Sequence, residues 1–175
     1  MPITLSPGVT ERPVPRWALR LARALPFALL PHCLWRLPFA VDFRMGMVMP
    51  DAPPMPWWGP AYVVGLSVLT EALALLVGGL VSGWGEVFPR RLPVIGGRRV
   101  PPMAAVVPAV LGGLALVALF DLPIVRSGTF GFAEDGFSTE GWRLLATACV
   151  TPTTLWGPIV LALAWSYHHR RRPTR

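Results

Sequence analysis

The sequence contains no lysine, asparagine or glutamine, and all 16 of its basic residues are arginine. That bias matches the codon usage of a GC-rich genome, so no function attaches to arginine over lysine. Cysteine is nearly absent. Cys33 and Cys149 have no close partner in sequence, which excludes a zinc ribbon and a CxxC redox motif. Also missing are a nucleophile–base arrangement, a phosphate-binding loop and a cluster of metal ligands, so no catalytic residue, metal or cofactor is indicated. Charged residues make up only 14% of the chain. The net charge of +7 invites a nucleic-acid reading, but such binding needs a basic face on a soluble scaffold, and here the arginines lie between apolar runs.

What is abundant is apolar surface. At 175 residues, 53% of them hydrophobic, the chain carries more of it than one soluble core can bury. Lipid is the simpler solvent. About twenty residues rising about 1.5 Å each cross roughly 30 Å of hydrocarbon. Four apolar runs meet that length, at residues 17–39, 62–81, 103–124 and 142–167. The expected fold is therefore all-α: a membrane protein with a four-transmembrane-helix bundle. The Pro-rich residues 1–16 are expected to form a disordered leader, and residues 168–175 a basic tail.

Orientation follows from arginine placement, because arginine near a span end is retained on the cytoplasmic side. Arg12, Arg16, Arg20 and Arg23 precede or open the first span, Arg90, Arg91, Arg98 and Arg99 fill the second connection, and Arg170, Arg171, Arg172 and Arg175 follow the fourth span. Opposite them stand Arg36, Arg44, Arg126 and Arg143 among Asp42, Asp51, Asp121, Glu134, Asp135 and Glu140. Both termini are thus expected to be cytoplasmic, in a multi-pass protein of the cell membrane. This parity also decides the first span, which carries Arg20, Arg23, His32 and Arg36. If it lay flat on the surface, the Arg-rich second connection would be forced outside. A cleaved signal peptide is disfavoured because no small-x-small site follows, only Leu37-Pro-Phe-Ala-Val.

Polar residues inside spans are the candidates for function. Glu71 heads them, since a carboxylate at membrane depth must be paired, protonated or hydrated. On a helix it shares a face with Ser67, Ala74 and Gly78. Thr147, Thr151 and Thr154 recur at helical spacing on the fourth span, and Glu71 is expected to bond one of those hydroxyls or a carbonyl freed by Pro152. His32 lies near the same depth as a proton-relay candidate. Small residues are expected to bring the second and third spans into tight contact, through Ala74, Gly78 and Ser82 against Ala105, Ala109 and Gly113. Prolines at 26, 31, 152 and 158 predict kinks in the first and fourth spans. The aromatics Phe130, Phe132 and Phe137 mark the third connection as an interfacial anchor or a lid.

The second connection runs Trp84-Gly-Glu-Val-Phe-Pro-Arg-Arg-Leu-Pro-Val-Ile-Gly-Gly-Arg-Arg-Val-Pro-Pro. Its two arginine pairs, Arg90-Arg91 and Arg98-Arg99, either fix topology or clamp an anionic lipid head group. With its flanking spans and Glu71, this stretch resembles a family of small membrane proteins from high-GC actinobacteria. The resemblance implies a four-helix membrane architecture and no particular activity. The expected function is accordingly a non-enzymatic accessory or self-associating bundle, with the bilayer, a second copy or another membrane protein as partner. The alternatives are a small proton-coupled carrier working through Glu71, and a membrane thiol oxidoreductase in which Cys33 and Cys149 pair.

Overall fold

The structure, a computed structural model, describes residues 10–50, 53–87, 97–127 and 136–172. Among them the chain is all-helical, with four helices long and apolar enough to cross a membrane: Arg16–Val41, Gly59–Val81, Pro102–Arg126 and Glu140–Arg171. These four spans contain the four apolar runs and extend past them. The fourth reaches furthest, so Arg170 and Arg171 belong to its last turn rather than to a tail.

Each span departs from α-helix where its sequence gives a reason. The first stays α-helical through Pro26 and Pro31 to Arg36 and then tightens into a 3-10 turn, Leu37–Val41. The second tightens likewise at Val77–Val81, around Gly78 and Gly79. In the third, Val117–Asp121 widens into a π turn in which the Leu122 N–H reaches the Val117 carbonyl, just before Pro123, which has no N–H to give. The fourth opens on Thr139, whose hydroxyl accepts from the Trp142 N–H, and passes through a 3-10 turn, Thr151–Leu155, at Pro152.

The principal packing is first span on second and third span on fourth, with the end of the second span wedged against the first and fourth. The shared core holds Leu25, Leu29, Ala74, Leu163, Ala164 and Tyr167. The expected tight contact between second and third spans is not the one the chain makes. Gly113 faces the fourth span instead, where an added Cβ would lie 2.8 Å from Leu161 Cδ2. A Cβ on Gly157 would lie 2.9 Å from both the Gly113 carbonyl oxygen and the Val117 amide nitrogen. Backbones can approach this closely only where both side chains are missing. Gly78, by contrast, faces open space.

The two ends of the bundle are closed differently. At the far end, away from the described chain ends, Trp35, Phe39, Phe137 and Trp142 pack around Ala146 with Met45, Met47 and Cys149. The first and third connections are tied there by backbone bonds, Val48 N–H to the Gly136 carbonyl at 2.9 Å and Ser138 N–H to the Gly46 carbonyl at 2.7 Å. Phe137 is thus buried in this cap, while Phe130 and Phe132 lie outside the described residues. At the other end Glu11, the second connection and the last turn of the fourth span meet in a network of charges.

Candidate functional site

Glu71 and Ser67 sit one turn apart on the second span and both face the first. The Ser67 hydroxyl donates to the Cys33 carbonyl at 3.3 Å and to the Val63 carbonyl of its own helix at 3.2 Å. In return the Cys33 thiol points at the Ser67 carbonyl, 3.6 Å away, and at Glu71 Oε2, 3.8 Å away. The polar face expected for Glu71 therefore exists, but its partner is the first span and not the fourth.

The threonines explain why. Thr147 Oγ1 donates to the Arg143 carbonyl at 2.9 Å, Thr151 Oγ1 to the Thr147 carbonyl at 2.7 Å, and Thr154 Oγ1 to the Thr151 carbonyl at 2.8 Å. Each hydroxyl is spent on its own helix, the usual local competitor to any tertiary partner. Thr153, fully buried and bonded to the Val150 carbonyl, does the same.

His32 is buried one residue from Cys33 but turned elsewhere. Arg36 Nη2, one turn on, donates to His32 Nε2 at 2.7 Å, which places the ring proton on Nδ1. Phe120 of the third span meets the imidazole edge-on with ring centroids 6.1 Å apart. His32 Nδ1 and Asp121 Oδ2 are both buried without a hydrogen-bond partner in the protein. The two cysteines are free thiols in different surroundings, Cys33 against the Ser67–Glu71 face and Cys149 against the far-end aromatic cap.

The densest electrostatic feature is one that the sequence pattern did not single out. Glu86, in the second connection, is 1% exposed. Its Oε1 lies 3.4 Å from Arg170 Nη1, its Oε2 lies 4.0 Å from Arg171 Nη1, and its Oε2 also accepts from the Glu11 N–H at 2.7 Å. Arg171 Nη1 stands 2.8 Å from Glu11 Oε2 as well, and Arg99 approaches the other oxygen of Glu11 at 3.6 Å. Two further bonds go to backbone carbonyls, Arg170 Nη2 to Leu80 at 2.7 Å and Arg171 Nη2 to Val100 at 2.8 Å, while the Nε of each arginine is buried without a partner. Tyr167, fully buried, donates its hydroxyl to the Gly85 carbonyl at 2.9 Å and lays its ring beside both guanidinium groups. One signal was available: Glu86 is the single acid in a connection that carries four arginines. Of those four, Arg98 and Arg99 are exposed, and Arg90 and Arg91 lie outside the described residues.

These clusters differ in what they can do. The Glu86 network joins three distant chain segments, with its two carboxylates set against arginines. The Cys33–Ser67–Glu71 contact joins two spans through neutral donors and one carboxylate. The described residues contain no group of three or more His, Cys, Asp or Glu able to hold a metal ion. No protein-family model matches the chain, and neither does any curated protein or solved structure.

Proposed function

We propose that the chain is a multi-pass protein of the cell membrane with both termini cytoplasmic, acting as a non-enzymatic accessory bundle in which Glu71 is an internal polar contact. The orientation rests on the arginines of the leader, the second connection and the fourth-span end. Glu11, Arg99, Arg170 and Arg171 meet around Glu86, so these segments share one end of the bundle. The functional part rests on one observation: Glu71 meets the Cys33 thiol at the interface of the first two spans, where Ser67 already bonds the Cys33 carbonyl. Polar pairing of that kind joins helices in lipid.

A second reading, the proton-coupled carrier, draws on His32 Nδ1 and Asp121 Oδ2, two unpartnered polar atoms buried on different spans near the π turn. Such turns recur at functional sites, and buried polar atoms without partners are where protons and ions bind. Proton flux into reconstituted liposomes separates the two readings, and Glu71→Gln, which keeps hydrogen bonding and removes titration, shows whether Glu71 carries that flux. The contact reading expects normal accumulation and thermal stability, with no proton flux into reconstituted liposomes from either form. Proton flux that the wild type supports and Glu71→Gln abolishes would replace it with the carrier.

A further inference from the structure

A groove of about 790 Å³ runs between the second and third spans, the pair that sequence alone would press together. Leu73 and Leu76 form one wall, Ala105, Ala109 and Leu116 the other, and Trp156 lies at its base. Among the described residues, none that lines it carries a charged or hydroxyl side chain. Along the third span the lining runs from Ala104 to Leu119, about 23 Å at ~1.5 Å per residue, most of the hydrocarbon thickness of a bilayer.

Small residues on a membrane helix normally mark where another helix approaches. Here Ala105, Ala109 and Gly112 follow helical spacing on one face, yet that face meets the groove, and an added Cβ on Gly112 would touch nothing within 4 Å. The groove also has a charged end. Val100 lines it, and the exposed Arg98 and Arg99 directly precede Val100. This end is held in place, because the Val100 N–H donates to the Glu86 carbonyl at 2.9 Å and its carbonyl accepts from Arg171 at 2.8 Å. Glu86 is enclosed with Arg170 and Arg171, and Glu11, 3.6 Å from Arg99, is shared with Arg171, so the mouth keeps a basic excess in Arg98 and Arg99.

We propose that this groove binds one anionic phospholipid, an acyl chain between the second and third spans and the phosphate against Arg98 and Arg99. An arginine at a membrane surface favours an anionic partner by an amount that two of them raise to about tenfold or more. The proposal needs the chain to lie in a bilayer but is independent of Glu71. Loss of lipid binding therefore leaves the Glu71 contact standing, and proton flux through Glu71 would leave the groove standing.

The test is native mass spectrometry of the full-length protein, delipidated in detergent and titrated with phosphatidylglycerol or phosphatidylcholine of identical chains. The wild type is expected to retain one phosphatidylglycerol, at least fivefold more tightly than phosphatidylcholine. Gly112→Phe, which fills open space, should abolish retention of both lipids. The pair Arg98→Gln and Arg99→Gln should keep chain binding and reduce phosphatidylglycerol to the phosphatidylcholine level. Equal affinity of the wild type for both lipids overturns the proposal. So does unchanged retention in Gly112→Phe, or a dimer that this substitution abolishes, which would make a second copy the occupant. If Gly112→Phe fails to fold, as judged by circular dichroism, the arginine pair decides alone, and unchanged selectivity there is fatal.

Discussion

Glu86 shows how far a single charge can organise this chain. Its carboxylate is enclosed with Arg170 and Arg171, whose side chains are 10% and 7% exposed. Removing one partner of such a group leaves buried charge uncompensated, which costs about 3–5 kcal/mol, whereas removing both together costs far less. Glu86→Gln should therefore lower the thermal unfolding temperature in detergent sharply. Glu86→Leu combined with Arg170→Met should lose much less than the sum of the two single changes. Additive losses would show that the pair is not coupled. Ser67 sits at the opposite extreme. Hydrogen bonds between membrane helices average about 0.6 kcal/mol, so Ser67→Ala should destabilise by less than about 1 kcal/mol, even though its hydroxyl bridges two spans. A loss several times larger in the same unfolding measurement would mean that the Ser67–Cys33 bond carries the interface.

Among the elements, the third and fourth spans cross closely at glycine, beside apolar packing that includes Phe120 stacked on Trp156. A methyl added at Gly157 would press on the backbone of Gly113 and Val117, which cannot rotate away, whereas one added at Gly113 would chiefly press on the movable end of Leu161. Overpacking costs about 1–3 kcal/mol, and the rigid neighbour should put Gly157→Ala at the top of that range and Gly113→Ala near or below the bottom. The reverse order in unfolding would show that the two helices can slide apart at this crossing. Neither glycine was distinguishable by pattern alone, since Gly78, Gly79 and Gly83 offer the same small-residue spacing on the second span. Spacing identifies a face on which a backbone can come close. Which helix comes close is decided by the connections and by the third span's preference for Gly157.

For the molecule as a whole, the arginine map predicts which ends of the spans reach the cytoplasm. In a variant with Cys33 and Cys149 replaced by serine, Arg98→Cys should react with a membrane-impermeant maleimide only after cells are opened. Labelling in intact cells would invert the whole arrangement. The end that holds Glu11 and Arg170 is rich in ion pairs, while the far end is closed by Trp35, Phe39, Phe137 and Trp142.

The sequence by itself determined the helices: four apolar runs of spanning length leave the backbone no other way to satisfy its hydrogen bonds in hydrocarbon. It also determined the face on which Ser67 and Glu71 lie, because helical periodicity is local. What lay across from that face was a tertiary matter. Cys33 took the place of the threonines as the partner of Glu71 because the second span packs on the first and not on the threonine stretch of the fourth, where each hydroxyl bonds a carbonyl of its own helix. The groove between the second and third spans, and the meeting of Glu11, Glu86, Arg170 and Arg171, likewise depend on how separate helices settle against one another. Contacts between residues so distant in sequence leave no periodic trace in it.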